Sequence, residues 1–173
     1  MQFIITAVGP DRPGLIDQIS GQLLEAGANI ADSRMINLSG EFALMMLVGV
    51  EDGDAEKVTG DLQQAGQRIG LSISVTPIAA GQPESASVGK RVAFRLRVYG
   101  MDKPGIVHRI THTLHENQVN VEEMQTHLQA GSYTGTPAFR MELLMSVPGS
   151  VQVRQLRDQL GELCDSLNCD LDL

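Results

Sequence analysis

Two short stretches hold the residues of this chain best suited to binding chemistry. They are Gly9-Pro10-Asp11-Arg12-Pro13-Gly14 and, displaced by 91 positions (Gly9 to Gly100), Gly100-Met101-Asp102-Lys103-Pro104-Gly105. Each follows an apolar run and opens an apolar stripe at helical spacing, so each reads as a strand-to-helix turn. Glycine lets the backbone turn sharply or come close to another group. Proline has no N–H to donate, and the first turn of a helix needs none from it. Such a turn leaves free amides at a helix N-terminus, a seat for a carboxylate or phosphate. The N-termini at Gly14 and Gly105 suit an anion, and Asp11 or Asp102 suits a cation. Asn29 or Asn120, at the entry to the next strand, can serve either through its amide. Structural uses exist for the same residues: Asp11 and Asp102 as helix caps, Asn29 and Asn120 as shapers of strand entry. From residue types alone both readings stand.

Other candidate chemistry is thinner. His108, His112 and His115 share a helix face, but the apolar stripe Ile106, Val107, Ile110 and Leu114 lies on the other side. The histidines then face solvent, without the enclosing shell a structural zinc needs. Cys164 and Cys169 fit no zinc or redox spacing and read as reduced packing residues. Ser132 and the cysteines have no paired glycine elbow, and no two carboxylates form a recognisable catalytic pair. The expectation is a protein without catalytic residues, metal or cofactor.

The elements that must position the turns follow one order twice. Phe3 to Val8 reads as a buried strand, Leu15, Ile16, Ile19 and Leu23 as a helix face ending near Gly27, and Asn29 to Ile36 as a second strand. Ser39-Gly40 is a hairpin turn into Phe42–Val50. Asp52-Gly53-Asp54 closes that strand and can cap the next helix, marked by Ala55, Val58, Leu62, Ala65 and Ile69. Leu71 to Val75 alternates as a fourth strand. Residues 78–90, with Gly81, Pro83, Ser85 and Ser87, form the linker between domains 1–77 and 91–173. Beyond it Val92, Phe94, Leu96 and Val98 alternate as a strand. Ile106, Val107, Ile110 and Leu114 mark the third helix. Val153, Leu156, Leu160, Leu163 and Leu167 mark the fourth, and Cys169 to Leu173 a last strand. Between residues 8–30 and 99–121, 8 of 23 positions are identical. The order strand, helix, strand, strand, helix, strand predicts an α+β chain. It has two ferredoxin-like units, each an antiparallel sheet with both helices on one face. The insert Gln129–Pro137 of the second half is either a surface loop or a lid or partner contact carrying Tyr133.

The bulk properties narrow the partners. The net charge is −8 and no Lys/Arg run stands out, which argues against direct nucleic-acid binding. Aromatics are 3%, too few for a stacking platform. Each half, at roughly ninety residues, can bury a modest core without disulfides or metal. No stretch reads as a signal peptide or membrane span, so a cytoplasmic location is expected.

The Asp-x-Pro-Gly-aliphatic turn, the helix after it, and the Asn29-Ile30 and Asn120-Val121 pairs resemble the ACT domain, an amino-acid-sensing module. The resemblance covers nearly the whole chain as two copies. Two such copies and nothing else resemble the glycine cleavage system transcriptional repressor family. In ACT domains effectors commonly sit at an interface between two modules, beside the turn. The resemblance therefore implies ligand contacts at Asp11, Gly14, Leu15, Asn29 and Ile30, and at Asp102, Gly105, Ile106, Asn120 and Val121. Serine-sensing members carry Asn at the turn where this chain carries Asp. The implied ligand is a small amino acid, glycine foremost, and the implied partner is a DNA-binding transcriptional activator. A regulatory subunit of a metabolic enzyme is the alternative, and homo-oligomers are possible in either case.

Strand parity makes one more expectation. Phe3, Ile5 and Ala7 should face the helices, as should Phe94, Leu96 and Val98. On the other face, Ile4, Thr6, Val8, Ala43, Met45 and Leu47 stand where the second half has Arg95, Arg97, Tyr99, Arg140, Glu142 and Leu144. The first sheet's outer face is then expected to be covered by the other half, another copy or the regulated partner. The second half's charges should remain more exposed and pair across strands.

Overall fold

A computed structural model describes residues 1–51, 55–78, 90–129 and 137–173, without the side chains of 55–57. The chain divides into two compact units, Met1–Glu84 and Ser85–Leu173. The Asp52–Asp54 cap, nearly all of the 78–90 linker and residues 130–136 of the insert, Tyr133 among them, lie outside the described residues.

The first unit runs β1 (Gln2–Pro10), α1 (Leu15–Glu25), β2 (Asn29–Leu38), β3 (Glu41–Gly49), α2 (Ala55–Ile69) and β4 (Ser72–Ile78). The second repeats the order as β5 (Arg91–Met101), α3 (Ile106–Glu116), β6 (Asn120–Gln129), β7 (Ala138–Pro148), α4 (Val153–Leu167) and β8 (Cys169–Asp172). Each unit is a four-stranded sheet, ordered β2-β3-β1-β4 and β6-β7-β5-β8. All pairings are antiparallel. These are two ferredoxin-like βαββαβ units.

The period-2 pattern sets which face of each sheet is buried. Phe3, Ile5 and Ala7 of β1 and Phe42, Leu44, Met46 and Val48 of β3 join Leu15, Ile19 and Leu23 of α1 in one core, with Val58 and Leu62 of α2. The second core repeats this with Leu96, Val98, Met141, Leu143 and Met145 against Ile110, Leu114, Leu156 and Leu160. The hairpin turns at Ser39 and Gly40, whose φ values of 53° and 85° match the twist of a tight hairpin.

The outer faces differ. On the first sheet Val8 and Met45 are 50% and 52% exposed, while Ile4, Thr6, Ala43 and Leu47 are half-buried. On the second sheet Arg97 lies opposite Glu142 and Tyr99 opposite Arg140. Arg97 pairs with Glu142 at 3.6 Å and with Asp172 at 3.2 Å. Arg140 hydrogen-bonds Glu142 and lies over the Tyr99 ring. Arg95 and Arg140 are exposed, but Arg97 and Glu142 are half-buried by their cross-strand partners. Among the described residues, no helix is long and apolar enough to cross a membrane.

Candidate functional site

The two turns have one backbone solution. Gly14 caps α1 at φ 91° and Gly105 caps α3 at φ 93°, both left-handed, and neither helix has a side-chain cap. A Cβ is strained at such φ, which is why glycine recurs here. Asp11 and Asp102 do not cap these helices, so the capping use open to them in the sequence does not apply. The first helical bonds run from Gln18 N–H to Gly14 O and from Arg109 N–H to Gly105 O. Three amides before each lack an intrahelical acceptor, which is the electrostatic seat for an anion. Leu15 and Ile106 point their side chains into the cores, at 2% and 1% exposure. They can offer a ligand only their backbone.

The leading glycine of each turn has a different use. A Cβ on Gly9 would stand 2.7 Å from Gly70 O, and one on Gly100 would stand 2.6 Å from Cys169 Sγ. The turn thus passes tight against the junction between the second helix and last strand of its unit. In the first unit Arg12 adds a bond from its guanidinium to Ile69 O at 2.8 Å.

Asp11 and Asp102 are held differently. The Asp11 N–H donates to Gly40 O at 2.8 Å and the Asp102 N–H to Pro137 O at 3.1 Å, so each turn is tied to its hairpin. The Asp11 carboxylate accepts from the Asn37 side-chain amide. Leu128 stands at the matching place in β6, opposite Phe139 as Asn37 is opposite Phe42. Among the described residues no side chain hydrogen-bonds the Asp102 carboxylate.

The asparagines show the reverse asymmetry. Asn29 is exposed, and its side chain makes no hydrogen bond among the described residues. Asn120 donates to Glu122 Oε1 at 2.8 Å, and the Ser146 hydroxyl donates to the same oxygen at 2.7 Å. These two bonds, Ser146 first, hold the Glu122 carboxyl below the usual range, helped by the Arg91 charge. Arg91 braces the cluster from below by donating to Ser146 O at 2.9 Å. Ile30 is 37% exposed and Val121 is half-buried, each beside its asparagine.

The structure does not bring Asp11 and Asn29 together within one unit. Asn29 pairs with Gly49, which pairs with Gln2 at the start of β1. Asp11 follows Pro10 at the other end. Nine steps from Gln2 to Asp11, of about 3.3 Å each, put them roughly 30 Å apart. Asp102 and Asn120 are separated in the same way, with Asn120 opposite Ser146 and Met101 opposite Ala138.

Asn37, Glu122, Ser146 and Arg91 are absent from the residues singled out in the sequence. Hairpin register was the signal that could have found Asn37: counting back from Ser39-Gly40 sets it opposite Phe42, which pairs with Gly9. Elsewhere, His108 and His112 stack at 5.8 Å and His112 meets Glu116 at 3.5 Å, all exposed. Burial pushes the Cys164 thiol up to about 11, and burial also raises that of Cys169. Both are therefore protonated packing groups at neutral pH.

Taken together, these features define a tandem of small α+β modules, each with a glycine-capped turn at one end of its sheet. The chain belongs to the ACT domain family, whose sequence pattern matches residues 1–76 and 94–173. It is 26% identical to the glycine cleavage system transcriptional repressor of Escherichia coli (strain K12) over 168 residues, 96% of this chain and 85% of that protein. A UPF0237 protein of Methanopyrus kandleri is 38% identical over 74 residues, 42% of this chain and 82% of its own. A crystal structure of an unknown protein from Galdieria sulphuraria superposes with a TM-score of 0.83. It is 26% identical and spans 99% of this chain and 95% of its own.

Proposed function

We propose that this chain is an amino-acid-sensing regulator without catalytic activity of its own. The observation that carries the reading is the pair of glycine-capped turns, each with first-turn amides open to a carboxylate and an aspartate nearby for an ammonium group. Asp11, Gly14, Leu15, Asn29 and Ile30 would form the first set of contacts. Asp102, Gly105, Ile106, Asn120 and Val121 would form the second.

The distance between Asp11 and Asn29 means that a ligand touching both needs a second module. β2 supports this, since it is an edge strand exposed at all ten residues, a form that invites pairing. Antiparallel pairing of two such edges about Ser33 sets Asp32 against Arg34. It also sets Asn29 of one module opposite Asn37 of the other, beside the Asp11 that Asn37 holds. Ligand and assembly would then be linked, because a ligand shifts an equilibrium only by its differential affinity for the two states.

Likeness to the E. coli repressor makes glycine the first effector to test. A DNA-binding activator is the first protein partner to test, with relief of repression as the consequence of binding. The other regulatory reading, a subunit controlling a metabolic enzyme, differs in partner rather than in site. Calorimetric titration of the chain with glycine, serine and the other common amino acids is the direct test. Heat with a small amino acid is expected, and silence with all of them would sink the sensor reading. Co-purification with a transcription factor or with a metabolic enzyme decides between the two partners.

A further inference from the structure

The groove between α1 and α2 of the first unit has no part in the turns. It encloses about 330 Å³, floored by Ile19, Leu62, Ile69 and Ile73, with Asp17 and Glu25 on the α1 rim and Arg68 on the α2 rim. Ile19 and Leu62 are buried, and the three charged residues are exposed. The middle of α1 is bare at Gly21, where a Cβ would meet nothing within 4 Å.

The second unit also opens between α3 and α4, to about 520 Å³. There Thr113, Glu116, Asn117, Gln159 and Glu162 surround Leu163, and the lining is mostly polar. His112 stands in the place of Gly21, Leu163 in that of Ala65 and Asn117 in that of Ala26. Asn117 donates to Gln159 Oε1 at 3.1 Å and so ties α3 to α4. Leu163 packs on the core. The apolar floor, rather than the opening itself, belongs to the first unit's own side chains.

What would fill it can be read from the rim. Leu24, one turn past Gly21 and just outside the groove's lining, is 79% exposed; its counterpart in α3 is the polar His115. A leucine held in water beside an apolar trough points to a contact surface. The Asp17 carboxylate takes no hydrogen bond from a described side chain, and that of Glu25 takes one, from Gln22 at 3.4 Å. Eight residues separate these two acids (17 to 25), about 12 Å along the axis, or roughly two helical turns.

We propose that this groove docks an amphipathic helix of a protein partner. The partner's apolar ridge would lie over Gly21 and against Leu24. Its basic side chains, spaced two turns apart, would face Asp17 and Glu25. Arg68, held by Gln64 at 2.6 Å, repels base on the opposite rim and so gives the bound helix a preferred side. A small apolar ligand accounts for the groove but not for Leu24 or the spaced carboxylates. A second copy would bring its own Asp17 and Glu25 against like charges. The proposal rests on the regulatory reading only for the existence of a protein partner.

The probe is a synthetic helix-forming peptide with Lys at two positions about seven residues apart and Leu between them. The control peptide has Glu at both Lys positions. Each is titrated into the full chain, followed by amide chemical shifts and calorimetry. Shifts at Gly21, Leu24, Ala65 and Arg68 are expected with the Lys peptide. At least about tenfold weaker binding is expected for the Glu peptide, for Gly21→His and for Leu24→Glu. Gly21→His should fold, since histidine stands there in α3, and a melting curve checks it. Glycine titration of Gly21→His separates failure of this proposal from failure of the amino-acid reading. No shift at those four amides, or equal peptide binding by Gly21→His, overturns the proposal. So does self-association abolished by Gly21→His without peptide binding, which would assign the groove to a second copy.

Discussion

The Asn37 side-chain amide donates to the Asp11 carboxylate across 26 residues of chain, joining the first strand-to-helix turn to the end of β2. The second unit has Leu128 in place of Asn37, and there Glu122 engages Asn120 instead. The duplicated units thus share one backbone turn, while each restrains a different member of its Asp–Asn pair. The two copies of the turn have become inequivalent, through side chains that neither turn contains.

Asp11→Ala and Asp102→Ala should weaken amino-acid binding more than they lower stability. Neither residue caps a helix, so the stability loss should fall below the roughly 1 kcal/mol typical of a lost cap. Asn37→Ala should alter binding at the first turn only. Calorimetry beside urea unfolding measures both quantities. Unchanged affinity in the two aspartate variants would make the turns purely structural.

Gly9→Ala and Gly21→Ala should have opposite signs. The added methyl at residue 9 meets Gly70 O at 2.7 Å and Leu71 Cδ2 at 2.8 Å, whereas at residue 21 it meets nothing within 4 Å. The first should cost about 1–3 kcal/mol through forced displacement. The second should gain roughly 0.5–1 kcal/mol from helix propensity. Chemical denaturation of the two variants compares them directly.

The Glu122 cluster should make stability fall in acid. Hydrogen bonds from Ser146 and Asn120 lower the folded pKa. The contribution is therefore complete above the unfolded pKa and is lost as pH falls through the folded value. Ser146→Ala should shrink the stability difference between pH 7 and pH 3, measured by urea midpoints. An unchanged difference would show that the cluster does not couple to folding.

Met45→Glu and Leu47→Glu test the apolar outer face of the first sheet. Burying a carboxylate at a contact surface is costly, so these variants should reduce oligomer mass by light scattering or weaken partner binding. Arg140→Glu on the second sheet serves as the control for charge alone. If both first-sheet variants leave stability, mass and partner binding unchanged, that face is open to water.

The sequence by itself determined the two-unit fold, because periodicity and turn chemistry are local and each was written twice. Aligning the halves, which sets Arg95, Arg97 and Tyr99 beside Ile4, Thr6 and Val8, is enough to say which side of β1 meets the helices. The glycines at 14 and 105 likewise announce a strand-to-helix turn from their position between a strand and a helical stripe; that both are left-handed is seen only in the structure. Tertiary structure alone decided what those turns touch. Asp11 meets Asn37 because the β2–β3 hairpin fixes register, and Asn29 is carried to the far end of the sheet by that same register. Spacing along the chain holds no record of either distance. The groove at Gly21 likewise brings together residues of α1, α2 and β4 that are far apart in the chain, and only the packed fold sets them side by side.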